Sequence, residues 1–178
     1  AYKTIVIKEI LRFTRIWVQT IFPPVITTSL YLLIFGGLMG ERIGDMQGVD
    51  YLHFIIPGII LMTVIQNSYA NTVSSFFLAK FNNSIEELLI SPVSYWVILL
   101  GYISGGIVRG FVVGLGVFIA ISFFVELQIY NIWIVLMTFL LTAILFSLAG
   151  FINAVFAKSF DDISIVPTFI LMPMIYLG

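Results

Sequence analysis

The sequence predicts an all-α fold, a polytopic bundle of membrane-spanning helices led by an amphipathic helix at the amino terminus. Three observations carry that prediction. The 178 residues are 61% hydrophobic and only 10% charged, against about 45–50% and about 25% for a soluble domain. Several apolar runs reach 17 residues or more, enough to cross a hydrocarbon layer of about 30 Å. The positive charges also fall almost entirely on one side of those runs. Mean hydropathy is +1.14. A net charge of −1 leaves no footprint for nucleic acid. Without a single cysteine, disulfides, thiolate chemistry and cysteine metal sites are excluded.

Residues 2–22 form the first element. Lys8, Arg12, Arg15 and Gln19 recur at i, i+4, i+7 and i+11, and Val6, Ile10, Phe13, Trp17 and Ile21 recur at nearly the same spacing. The two sets are offset by about 200° on a helix of about 3.6 residues per turn. A basic face opposite a Trp/Phe/Ile face describes a helix in the headgroup plane; the alternative is the charged start of the first span. The mixture of Lys, Arg and Glu with apolar residues is unlike a cleavable signal. Pro23-Pro24 is expected to redirect the chain, because proline suits the first turn of a new helix.

Five spans are expected, at 24–39, 51–79, 97–125, 132–157 and 163–178. The second is long: at about 1.5 Å per residue it reaches roughly 43 Å, so it tilts or projects past the surface. The fifth holds Pro167 and Pro173 and stops without a flanking charge, so a sixth span and a carboxy-terminal truncation are expected. No repeat or domain linker divides the chain. With the amino terminus in the cytoplasm, Lys3, Lys8, Arg12, Arg15, Lys80 and Lys158 lie inside, only Arg42 lies outside, and Arg109 falls within a span. The positive-inside rule favours that orientation. It places the polar insert 82–92 and the turn Lys158–Asp162 in the cytoplasm.

The insert Asn82-Asn83-Ser84-Ile85-Glu86-Glu87-Leu88-Leu89-Ile90-Ser91-Pro92 carries the most chemistry. Ser84-x-x-Glu87 predicts a capping box, and Glu86 and Glu87 suit the positive end of a helix dipole. Ile85, Leu88 and Leu89 predict an apolar face. Ser91-Pro92 predicts the cap and first residue of the next helix. So short a helix is marginal alone in water and needs a surface, either the bundle or a partner.

Within the spans, Asn67, Asn71 and Ser74 share one helical face, with Gln66 beside them. They are interhelical glue or the lining of a path, as Asn153 and the Thr138/Thr142 pair are more weakly. Gly101-x-x-x-Gly105 and Gly106-x-x-x-Gly110-x-x-x-Gly114 signal close helix packing. Arg109 among them either snorkels to the cytoplasmic surface or touches substrate. No G-x-x-x-x-G-K-[ST] and no H-E-x-x-H occurs, and the single histidine, His53, reads as an interfacial residue.

The order of these elements resembles the membrane subunit of bacterial type-2 ATP-binding-cassette transporters, the export permeases. The matching features are the amphipathic first helix, the long second span, the stretch from Ser84 to Ser94, and Gly150 to Asp162 followed by Pro167 and Met172-Pro173. The resemblance covers essentially the whole chain. It implies a multi-pass protein of the bacterial inner membrane, paired with a second permease subunit, expected to be a copy of itself, and with a dimer of separate ATPase subunits. ATP and magnesium would sit on that partner, with no cofactor, metal or catalytic residue in this chain. Ser84, Glu86, Glu87, Leu88, Leu89 and Pro92 would form the coupling helix that docks on the ATPase, and Lys158–Asp162 a second, smaller contact. Gln66, Asn67, Asn71, Arg109 and Asn153 are the candidate substrate path, and the polar stripe beside many Phe and Tyr suits an amphipathic cargo. The competing functions are a channel or carrier that works without an ATPase, and an intramembrane enzyme, for which the sequence offers no nucleophile–base pair.

Overall fold

Charge, more than proline, decides where the chain turns into its first apolar helix. The computed structural model describes residues 1–36, 45–46, 49–127 and 129–177. Helix α1 (Tyr2–Arg15) and helix α2 (Trp17–Tyr31) meet at Ile16, whose φ of −116° and ψ of 32° leave the helical region. Pro23 and Pro24 do not start the new helix; they lie inside α2. The bend comes directly after Arg15, the last charge before the apolar run, because the charged segment and the lipid-compatible segment need different surroundings. Prolines inside the following helix are tolerated, since neighbouring groups can take up the freed carbonyls. A five-residue π-turn, Leu32–Gly36, continues α2.

A short antiparallel ladder pairs Asp45 with Asp50 and Met46 with Val49. It leads into α3 (Tyr51–Phe81), 31 residues and thus about 46 Å long. Then come α4 (Ser84–Ile90), α5 (Tyr95–Ser122), α6 (Ile132–Phe156), α7 (Phe160–Val166), a π-turn at Pro167–Leu171 and α8 (Met172–Leu177). Among the described residues four segments are long and apolar enough to cross a membrane: Trp17–Ile34, α3, α5 and α6. The fifth apolar stretch is divided among α7, the π-turn and α8. The expected end of the first span at Met39, the outer-loop Arg42, Gln128 and the terminal Gly178 lie outside the described residues.

Helix α3 is the axis of the bundle, packed between α5 and α6. Its ends rest in two apolar clusters. Tyr69, Val73, Phe76 and Phe77 pack with Tyr102 and Ala154 toward the Phe81 end. Ile56 and Ile60 pack with Val117 and Ile121 toward the Tyr51 end. Between and beside them lie the buried polar residues Thr63, Asn67, Ser68, Asn71, Thr72, Ser75 and Ser147. Lipid is as apolar as leucine, so close packing and interhelical hydrogen bonds must hold such a bundle together. The glycine face of α5 meets that need within this chain. A side chain at Gly106 would strike the hydroxyls of Ser147 and Thr72, and one at Gly110 would strike that of Ser68. Outward residues such as Trp133, Leu141 and Phe156 are exposed and apolar, as a lipid-facing surface requires.

Candidate functional site

Two turns come together at the Phe81 end of the bundle. The first begins where α3 stops. Asn83 takes the left-handed conformation at φ 58°, which asparagine tolerates better than most residues. The Asn82 N–H donates to Leu78 O at 3.0 Å and the Asn83 N–H to Lys80 O at 3.1 Å. This reversal makes Asn83, not Ser84, the residue that precedes α4, and it undoes the expected capping box. The Ser84 hydroxyl faces back and donates to Ala79 O at 3.0 Å, joining α4 to the end of α3. Glu86 and Glu87 remain in the first turn and point into solvent.

The far end of α4 also differs from expectation. Ser91 ends α4 at φ −69° and ψ 152°, and its hydroxyl donates to Leu88 O at 2.7 Å. The following Pro92 pushes Ser91 out of the helical region. The Val93 N–H then donates to Ser91 O at 2.7 Å. This tight turn delays α5 until Tyr95, with Ser94 in the preceding position. Of the apolar face, Ile85 and Leu88 pack onto the core, whereas Leu89 is half exposed and Ile90 is 86% exposed. Beneath α4 lies an apolar cavity of about 320 Å³ lined by Phe76, Ile85, Leu88, Trp96 and Phe151 among others.

The second turn joins α6 to α7, and here a capping box does form. Ser159 Oγ accepts from the Asp162 N–H at 3.2 Å, and Asp162 Oδ2 accepts from the N–H groups of Ser159 at 2.9 Å and Lys158 at 2.8 Å. Phe160 meets the rings of Phe77 and Phe81 at 4.9 and 5.1 Å between centroids. Lys80 Nζ donates to Val155 O and Ala157 O, both at 2.8 Å, and caps the carboxyl end of α6 from α3. The two turns therefore both abut the Phe81 end of α3, with Glu86, Glu87, Asp161, Leu89 and Ile90 exposed. The N–H groups of Lys158 and Ser159 hold the Asp162 carboxyl below its usual range. Its stabilising effect is present above the unfolded-state value and lost as pH falls through the lowered folded-state value. Amide exchange at Lys158 and Ser159 is therefore expected to match that of Asp162→Asn at low pH and to be slower than in that variant near neutrality.

The polar residues of the spans divide into two groups. Asn71 is buried, and its Oδ1 and main-chain O accept from Arg12 Nη2 at 2.8 and 3.0 Å. Arg12 pairs with Glu9 at 3.4 Å, and Ser75 Oγ donates to Glu9 Oε1 at 2.5 Å. Arg109 lies one helical turn beyond Gly105, against which Glu9 and Asn71 pack. Asn153 stands apart: its Nδ2 donates to the Tyr69 hydroxyl at 2.7 Å and to Ile163 O at 3.4 Å. Asn67 donates to Thr63 O of its own helix at 3.0 Å, and Gln66 is half buried beside it. Glu9, fully buried, was absent from the sequence-based candidates. Its signal is that it is the one acid in a basic helix, three residues before Arg12. At the opposite end, His53 Nε2 meets Glu126 O at 3.0 Å.

This architecture, apolar helices carrying a short polar helix and a second turn on one end, is that of a multi-pass helical membrane protein. The ABC-2 type transporter family matches the chain over residues 1–178, and the chain belongs to that family. It is 58% identical over 178 residues to the inner membrane transport permease YadH of Escherichia coli strain K12, covering 100% of this chain and 70% of the relative. Nodulation protein J of Rhizobium meliloti strain 1021 is 21% identical over 150 residues, 84% of this chain and 57% of that protein. No solved structure matches the chain.

Proposed function

We propose that this chain is the membrane subunit of an ATP-driven exporter in the bacterial inner membrane, its amino terminus in the cytoplasm. It pairs with a second permease subunit, a copy of itself, and with two ATPase subunits that bind ATP and magnesium. The observation that carries this reading is that α4 and the α6–α7 turn both abut the Phe81 end of α3. Two turns far apart in sequence are brought together by Phe160 against Phe77 and Phe81 and by Lys80 across to α6. They present acids and exposed aliphatic side chains outward, where a partner could push on α3, α5 and α6 together. The membrane location of the Escherichia coli relative and the count of basic residues support a cytoplasmic position for this surface. Gln66, Asn67, Asn71, Arg109 and Asn153 remain the proposed substrate path.

The test is the double variant Glu86→Lys/Glu87→Lys. Both side chains are exposed, so folding should be unaffected, while reversing two charges at a docking surface is expected to abolish co-purification of the ATPase and ATP-dependent export. Unchanged co-purification together with unchanged export would rule the docking role out.

A further inference from the structure

The five helices of fourteen residues or more, α1, α2, α3, α5 and α6, hold six basic side chains and one acid. The acid is Glu9. Lys3, Lys8 and Arg15 are exposed, and Lys80 donates to carbonyls at the end of α6. Arg12 takes Glu9, whose other oxygen receives the Ser75 hydroxyl. That leaves Arg109 in the middle of α5 with no carboxylate on these helices, and its Nε is buried without a hydrogen-bond partner among the described residues.

The register of α1 along α5 shows what stands beside it. A side chain at Gly101 would strike Ile5, and one at Gly105 would strike Glu9. Four residues on α1 match four on α5, so the next turn brings Arg12 and Phe13 to the level of Arg109. Glu9 pairs with Arg12 alone, and its Oε2 is buried without a hydrogen-bond partner among the described residues. Arg12 Nε and Asn71 Nδ2 are likewise buried without a hydrogen-bond partner, and Asn71 is fully buried. An arginine at membrane depth costs at least ~2.5 kcal/mol unless it finds a partner or reaches the surface. Guanidinium is the side chain best shaped for phosphate oxygens, because its fork presents paired donors.

The depth agrees. Helix α3 exceeds a hydrocarbon core of about 30 Å by about 16 Å, and Asn71 lies ten residues, or about 15 Å, from its Phe81 end. Were the excess length to lie at that end, Asn71 would stand at headgroup level, as the exposed Lys8 and Arg15 of α1 would.

We propose that Arg12, Arg109 and Asn71 form a binding site for a phosphate group between α1, α3 and α5, independent of the ATPase-docking surface. The phosphate is that of an anionic lipid headgroup or of a soluble phosphate. The test uses the delipidated full chain in detergent and follows its melting midpoint against added phosphatidylglycerol and, separately, inorganic phosphate. A saturable rise with the lipid alone assigns a headgroup site; a rise with inorganic phosphate assigns a site for the free anion. Arg109→Gln is expected to weaken the effect at least about tenfold, the consequence of losing charge-assisted hydrogen bonds. Arg15→Gln, which removes an exposed arginine, should leave it unchanged. The ligand-free Arg109→Gln protein should melt no lower than the parent, since it loses only an uncompensated charge. The proposal is overturned by the absence of a rise with either probe, by an equal rise in Arg109→Gln, or by a ligand-free variant that melts well below the parent, which would mean that the guanidinium already has an internal partner.

Discussion

Glu9→Ala is expected to lower the stability of the folded chain by about 3 kcal/mol, the low end of what breaking a buried ion pair costs. The low end applies because the Arg12 side chain keeps 28% exposure while Glu9 has none. Removing the carboxylate strips Arg12 of its only acid among the described residues, leaves the Ser75 hydroxyl without its acceptor, and opens space beside Gly105, where the Glu9 Cγ now packs. A double-mutant cycle separates charge from packing. If the ion pair dominates, Glu9→Leu/Arg12→Met should recover most of the loss, since apolar groups of similar volume can replace a buried pair at little cost. If shape dominates, Glu9→Gln alone should be nearly silent. Thermal melting of the detergent-solubilised variants checks both, and a Glu9→Ala protein that melts like the parent would remove Glu9 from the framework of the bundle.

Glu9 also shows what sequence reasoning could reach. Composition and run length were enough for the helical membrane fold, because hydrocarbon thickness sets a length that few soluble segments meet. Spacing predicts an apolar face of Val6, Ile10, Phe13, Trp17 and Ile21 opposite a basic one, but the buried side of α1 is Ile5, Glu9 and Phe13, Trp17 is exposed, and Arg12 turns inward. A face is a property of one helix, whereas Arg12 turns inward because α3 offers Asn71 and Ser74 at that level. The same limit explains the capping boxes. Ser84-x-x-Glu87 and Ser159-x-x-Asp162 are equivalent patterns, but only in the second is the serine itself extended, at φ −133° and ψ 166°, and free to cap its own helix. Before Ser84 the chain makes a left-handed turn at Asn83, and the hydroxyl is spent on α3. The glycine spacing of α5 correctly indicated close packing and was silent on the partner. The partners are α1, α3 and α6, and identifying them needs the register. Lys80 is the plainest case: from sequence it marks the end of a span, and in the fold it clamps α6 to α3.

Gly150→Val is expected to separate α3 from α6 where their backbones meet closely and to lose both the folded state and the proposed coupling. An added Cβ at Gly150 would stand 2.7 Å from Tyr69 O and 3.3 Å from Val73 N. Both are main-chain atoms of α3 and cannot rotate away as a side-chain tip could. Overpacking a core usually costs about 1–3 kcal/mol. With backbone as the obstacle, and valine adding two methyl groups, the upper end or beyond is expected. The damage should spread along the seam. Asn153, one turn further on α6, would lose its 2.7 Å bond to the Tyr69 hydroxyl, and Lys80 would lose its grip on Val155 and Ala157. Those bonds hold the α6–α7 turn to the end of α3, so even a partly folded variant is expected to bind the proposed ATPase partner poorly. Gly58→Ala is the matched control: nothing lies within 4 Å of the added atom, and alanine favours helix over glycine by about 0.5–1 kcal/mol. Melting and ATPase co-purification should fall together in Gly150→Val and both hold in Gly58→Ala. If Gly150→Val melts lower but still binds the ATPase in full, α4 alone carries the docking and the α6–α7 turn is incidental to it.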